Sequence, residues 1–259
     1  MSQPQPYGTV LIRAEKILRF LSESKEAQPL HMIAKNTEMT NSTVSKILTT
    51  LELIGYVKRD DETKTYRLGS ALVRYANQYL ADLDISKIAY PYLKKLHSDL
   101  DETVHLSVRE GDEILYINKL ESMQPIVVTT SRIGFSKPMY ASAMGKSILA
   151  ELDEAELREY LDRVELKPFT PNTITSEQKL KEELNDIREQ GYALDNSEEQ
   201  IEVFCVGTTI SYDGMNYGAF SVSMPVYLRT PELEAKIVSA VLAAKEAILE
   251  ELKQVYLYI

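Results

Sequence analysis

Residues 29–68 read PLHMIAKNTEMTNSTVSKILTTLELIGYVKRDDETKTYRL, and the order of periods in that stretch decides the fold at the front of the chain. Pro29 is placed to open a short helix with Leu30, Ile33 and Ala34 on its apolar face. Thr37-Glu38-Met39 reads as a turn. Asn41-Ser42 then offers a capping side chain for a helix carrying Val44, Ile47, Leu48, Leu51 and Ile54, which Gly55 ends. Tyr56–Arg59 and Thr65–Leu68 read as two short strands around the polar turn Asp60–Lys64. Upstream, Val10, Leu11, Ala14, Ile17, Leu18 and Leu21 recur at helical spacing. Three short helices, the last two joined by a tight turn, then a basic-tipped hairpin, are the sequence form of a winged helix-turn-helix.

With the apolar positions of its third helix turned inward, Ser42, Thr43, Ser45, Lys46 and Thr49 point outward. Short hydroxyls let a helix approach the major groove closely, and Lys46 can reach a guanine or a phosphate. The positive end of the helix dipole is favourable beside a phosphate. In the hairpin, Lys58, Arg59, Lys64 and Arg67 can neutralise backbone charge, with the Tyr66 hydroxyl assisting. Each feature alone fits an ordinary surface helix or hairpin. Their coincidence points to double-stranded DNA as a partner.

The whole chain has 259 residues, 44% apolar and 26% charged, which is the composition of a folded protein of one or two domains. No apolar run approaches the roughly 18 residues that span a bilayer. The leader MSQPQPYGTV has neither a basic start nor an apolar core, so no secretory signal is expected. A lone cysteine, Cys205, fits a reducing cytosol, and the expected location is cytoplasmic. The net charge of −10 is uneven: ten basic residues face eight acidic ones through Ser70, and nineteen face 31 beyond it. A near-neutral head on an acidic body suggests two modules with different partners.

Gly69–Asp82 reads as a helix with Leu72, Tyr75, Ala76 and Tyr79 on one stripe. That stripe needs cover, either from the same helix of a second subunit or from the neighbouring domain. A second amphipathic helix spans about Ile85–Leu100. From Thr103 the period becomes two, with Val104, Leu106 and Val108, a turn at Glu110-Gly111-Asp112, and Ile114–Ile117. A further strand is expected at Ile126–Thr130, and helices at Ala141–Ala150, Asp153–Leu161 and Ser176–Gln190. Strands return at Tyr192–Leu194, Val203–Ile210 and Tyr217–Met224, and a last helix runs from Thr230-Pro231 to about Lys253. These elements describe an α/β domain on an antiparallel sheet.

Three stretches together resemble the IclR-type bacterial transcription regulators: STVSKILTTLELIGYVKRD, GFSKPMYASAMGKSILA and GYALDNSEEQIEVFCVG. The last is close to the family's ordered spacing of a glycine, an aspartate, a glutamate and a cysteine, here Gly191, Asp195, Glu198 and Cys205. The resemblance implies an α+β chain: a winged helix-turn-helix DNA-binding domain over 1–68, a linker helix over 69–82, and a GAF-like effector-binding domain with an antiparallel sheet over 83–259. It implies a homodimer or homotetramer on palindromic operator DNA, most simply a repressor, controlled by a small organic acid. It places the effector pocket at the Ala143-Met144 backbone, Asp195, Val203, Cys205, Ser221 and Ser223. The chain departs from the family pattern at Lys46, where many members carry arginine, at Glu38, where glycine is usual, and at Glu202 and Ser211.

The residues' own chemistry is compatible with that pocket. Ser221 and Ser223 lie two apart on one strand, so their hydroxyls share a face, and a helix starting near Ala143 offers N–H groups to an anion. Such a lining suits a small carboxylate, a keto acid or sugar acid. Taken singly, the serines also fit a solvated sheet face and Asp195 a turn cap. Gly145-Lys146-Ser147 imitates the end of a phosphate-binding loop, but Tyr140 stands where that loop needs glycine. Two other functions stay open: a body that only oligomerises, without ligand, and an enzyme using Cys205 with His105 as base and Asp195 orienting it. His31, His97 and His105 lack ligand spacing, so neither metal nor cofactor is expected, and no membrane.

Overall fold

The structure is a computed structural model that describes residues 8–82, 84–123 and 131–256. The chain divides into two compact units, Met1–Asp82 and Leu83–Ile259.

In the first unit, α1 (Thr9–Glu23), α2 (Leu30–Asn36) and α3 (Asn41–Leu53) bury Ile17, Leu21, Ile33, Ala34, Val44, Ile47, Leu48 and Leu51 in one core, to which Val57 adds. Fully burying one such side chain is worth about 1.5–3 kcal/mol. A three-stranded antiparallel sheet flanks them: β1 (Gln28–Pro29) pairs with β3 (Thr65–Leu68), which pairs with β2 (Val57–Arg59). Then α4 spans Ala71–Asp82.

Several details correct the sequence expectation. Pro29 is the residue before α2 rather than its first, and it lies in β1, a two-residue strand too short to carry a period. The cap of α3 is Thr40, whose hydroxyl accepts from Thr43 N at 3.2 Å, so Asn41 and Ser42 are inside the helix. Val10, Leu11 and Ile54 were expected on apolar faces and are exposed. On α4, Leu72 is half-buried while Tyr75 and Ala76 are exposed; the Tyr79 side chain lies outside the described residues.

In the second unit, α5 (Asp84–Leu100) leads into β4 (Thr103–Glu110), β5 (Glu113–Leu120) and β6 (Ser136–Pro138). A 3-10 turn (Met139–Ala141) precedes α6 (Ala143–Glu151), α7 (Glu154–Arg163) and α8 (Glu177–Gln190). Then come β7 (Ala193–Asn196), β8 (Val203–Tyr212), β9 (Met215–Pro225) and α9 (Pro231–Tyr256). The sheet is antiparallel, in the order β6-β5-β4-β9-β8-β7. Its central strands are buried at consecutive positions, as at Ala219–Met224, so both faces are covered. One cover is α6 with α7 and α8, sharing a core with Ala193 and Ala219.

The capping residues behave as their chemistry dictates. Asp153 and Glu156 form a capping box at α7, Ser176 caps α8, and Gly191 closes α8 in the left-handed region. By contrast, α6 starts two residues later than expected, because the 3-10 turn ends first and Ser142 caps the helix. The strand β6 was not anticipated, and the strand expected at Ile126–Thr130 lies outside the described residues.

Candidate nucleic-acid interface and ligand cavity

On α3, Ser42, Ser45, Lys46 and Thr49 are exposed and Thr43 is half-buried beside Thr40, hydroxyl to hydroxyl at 2.9 Å. The Thr49 hydroxyl donates to Ser45 O at 2.9 Å, so its proton is committed to the helix. Ser42, Ser45 and Lys46 make no side-chain bond among the described residues. They are the groups free to donate.

The hairpin sorts the four basic residues that the sequence lumps together. Lys58 stands directly opposite Arg67, and Arg59 opposite Tyr66. Like charges directly opposite each other are unfavourable unless an anion lies between them, so this pairing leaves an uncompensated positive spot on the hairpin. Arg59 is half-buried, its guanidinium 5.8 Å from the centre of the Tyr66 ring. Lys64 occupies the turn at φ 56°, and Asp60 builds that turn by accepting from Thr63 N at 2.8 Å and Glu62 N at 3.0 Å. Those bonds hold the Asp60 carboxyl below its ordinary range. The interhelix turn is made by Glu38 at φ 55°, the left-handed conformation usually assigned to glycine.

In the second unit, strand register assembles a cavity. One row across the sheet runs Asp195, Cys205, Ser223 and Thr103; the next runs Ala193, Gly207, Ser221, His105 and Lys119. The N-terminus of α6 sits against these rows, and glycines permit that approach. A Cβ on Gly207 would lie 3.0 Å from Met144 N, and one on Gly145 would lie 2.2 Å from Met139 Cα. Ser142 Oγ accepts from Gly145 N at 3.1 Å, leaving the first N–H groups of α6, those of Ala143 and Met144, beyond the cap's reach. Ala143, Met144, Asp195, Val203, Cys205, Ser221 and Ser223 all line this one cavity. Its volume is about 20 Å³, on the order of one ordered water.

Burial disfavours the charged forms of four groups in the cavity, His105, Asp195, Cys205 and Tyr116. Burial, with the Lys119 cation adding, pushes His105 down to about 3; its Nε2 meets Ser131 Oγ at 2.6 Å and its Nδ1 meets Ser223 Oγ at 3.2 Å. Burial pushes Asp195 up to about 7, against the bond its Oδ1 accepts from Glu198 N at 2.7 Å. Burial also raises the Cys205 thiol, which lies 3.1 Å from Ser223 Oγ, and the Tyr116 hydroxyl.

Family comparisons agree with this architecture. The model for the IclR helix-turn-helix domain matches residues 10–61, and that for the bacterial transcriptional regulator IclR C-terminal domain matches residues 77–250. The chain belongs to the IclR family. The crystal structure of the Thermotoga maritima IclR superposes with TM-score 0.75 at 36% identity, covering 95% of this chain and 99% of that one. The acetate operon repressor of Salmonella typhimurium is 30% identical over 247 residues, 92% of this chain and 88% of the relative. An IclR homolog from Microbacterium hydrocarbonoxydans, solved complexed with 4-hydroxybenzoate, shares the fold with TM-score 0.79 at 22% identity, covering 95% and 99% of the two chains. This IclR-family chain is therefore a DNA-binding transcriptional regulator and, like its relatives, not an enzyme.

The geometry accounts for the two decoys. Lys146, of the loop-like Gly145-Lys146-Ser147, is fully buried and ion-paired to Glu183 at 2.9 Å and Glu198 at 2.5 Å. Left without both carboxylates, this buried ammonium would cost about 3–5 kcal/mol, so the lysine is architectural. Cys205 and His105 each bond Ser223 rather than each other, with the thiol held protonated and the imidazole neutral, the opposite of an activated pair. Sequence reasoning missed Tyr116, Ser131, Lys137, Ser142, Glu199 and Gln200 as cavity lining. The GFSKPMYAS segment carried a signal for Lys137 and Ser142; Tyr116 and Ser131 had none. No helix among the described residues is long and apolar enough to cross a membrane. Among them, no group of three or more His, Cys, Asp or Glu is placed to hold a metal ion.

Proposed function

We propose that this IclR-family regulator is a repressor that holds operator DNA through α3 and the β2–β3 hairpin, and that a small organic acid in the cavity at the α6 N-terminus controls it. Ser42, Thr43, Ser45, Lys46 and Thr49 approach the major groove, Lys58, Lys64 and Arg67 serve the backbone, and Arg59 steadies the hairpin over Tyr66. One observation carries the effector reading: all seven residues that the family pattern assigns to the pocket meet around one cavity, beside a helix N-terminus. The 4-hydroxybenzoate complex of a structural neighbour supports a carboxylate as the ligand class. The cavity's volume of about 20 Å³ is too small for an organic acid, so the acid binds a wider form of it. A ligand that selects one form in this way shifts the balance between DNA-competent and incompetent states.

Exposed Val10 and Leu11 on α1, and Val73 and Tyr75 on α4, support self-association as a dimer or tetramer. Working on chromosomal DNA places the protein in the cytoplasm. The test is a gel shift on the DNA upstream of its own gene, with and without a panel of monocarboxylates. Retardation that an acid relieves is the expected result. Loss of all retardation at low ionic strength, with or without acid, defeats the reading. Retardation that no acid alters, with no heat of binding in calorimetry, favours a body that only oligomerises.

A further inference from the structure

A charge pair closes the mouth of the cavity. Lys137 on β6 and Glu199, in the turn after β7, form an ion pair, each side chain 20% exposed. The strands they flank are the two opposite edges of the sheet. The pair therefore ties one edge to the other over the α6 N-terminus. Lys137 is the one cationic side chain among the described residues lining the cavity, and Glu199 the one carboxylate there besides the deeper Asp195. After burial, the Glu199 charge contributes to raising Tyr116, Asp195 and Cys205, so its field reaches the cavity floor. An anion entering this space meets a glutamate that repels it and a lysine already taken.

We propose that Lys137 is the carboxylate receptor of the effector site and that Glu199 occupies it in the empty state as a built-in competitor. The inference rests on the cavity being the effector site, and it specifies the ligand. One anionic end sits at the mouth, replacing Glu199 on Lys137. An uncharged remainder bearing hydroxyl or carbonyl groups points to Ser221, Ser223 and neutral His105. Charge balances in the exchange: one carboxylate leaves Lys137 for water and another takes its place. Because the displaced pair bridges the two sheet edges, occupancy also unties them, which gives the ligand a mechanical consequence that a neutral analogue lacks.

The experiment uses the full-length wild type with Glu199→Gln and Lys137→Gln, folding checked by circular dichroism. Calorimetry measures 4-hydroxybenzoate and D-gluconate against their uncharged amides, 4-hydroxybenzamide and D-gluconamide. Glu199→Gln frees the lysine and removes the repulsion, so the bound acid tightens by about tenfold or more; Lys137→Gln weakens it by at least about tenfold. Amide binding follows neither change. An acid that binds wild type equally to Glu199→Gln, or that survives Lys137→Gln undiminished, overturns the exchange. If Asp195→Ala still abolishes that binding, the effector site itself stands. Should neither acid bind wild type or Glu199→Gln, the effector reading fails and the exchange falls with it.

Discussion

Glu38 sits at φ 55°, where a side-chain-bearing residue costs about 1 kcal/mol or more relative to glycine. Glu38→Gly is expected to raise the stability of the first unit by about 1 kcal/mol, read as a higher denaturant midpoint at unchanged slope. A lower midpoint contradicts the strain argument. Asp195 sits at a second costly position. Its carboxyl ionises near 3.8 ordinarily and at about 7 when folded. Between those values the folded state keeps a proton that the unfolded chain has lost, so stability falls as pH rises from about 4 to 7. Glu198, Glu199 and Lys146 modulate the value without reversing it. Asp195→Asn removes the titration, so its melting temperature relative to wild type should climb between pH 5 and pH 8; a constant difference refutes the shift. The sequence pattern named Asp195 as a pocket residue, but its protonation was illegible there. That depends on burial under neighbours from β8 and the 196–200 turn, and no local spacing encodes it.

For whole elements, legibility follows the strength of the local chemistry. The helices α7 and α8 were read with their caps because Asp153, Glu156, Ser176 and Gly191 each satisfy orphan backbone groups within one turn. The strands β1 and β6 were invisible because two or three residues cannot display a period, and their partners β3 and β5 lie far along the chain. The hairpin was read as four equivalent cations, whereas cross-strand register separates them. Lys58→Ala or Arg67→Ala should each flatten the salt dependence of operator binding by about one unit of slope while leaving base preference intact. Arg59→Ala should instead lower the melting temperature, since its guanidinium lies over Tyr66. Lys46→Ala should alter which operator bases are preferred. Equal effects of all four changes on the salt slope would refute the division of labour.

At the scale of the molecule, the proposed reading gives DNA to the first unit and an acid to the second, which makes regulation a coupling free energy between the two. On the proposed reading of a repressor the sign follows: an acid needs the small cavity to widen, and the DNA-competent form is then the one in which it stays closed. Coupling of this kind typically amounts to about 1–3 kcal/mol, or about 5–150-fold in affinity. Linkage makes it reciprocal, which turns the functional reading into a closed thermodynamic test. If saturating acid weakens operator binding by some factor, then saturating operator must weaken acid binding by the same factor. Fluorescence anisotropy on labelled operator gives the first number, and calorimetry of acid into the preformed complex gives the second. Asp195→Ala should shrink both together while leaving acid-free operator affinity near wild type. Two factors that disagree beyond error would mean that the number of subunits or of bound acids changes with operator binding; equal factors that Asp195→Ala leaves unchanged would place the acid outside this cavity.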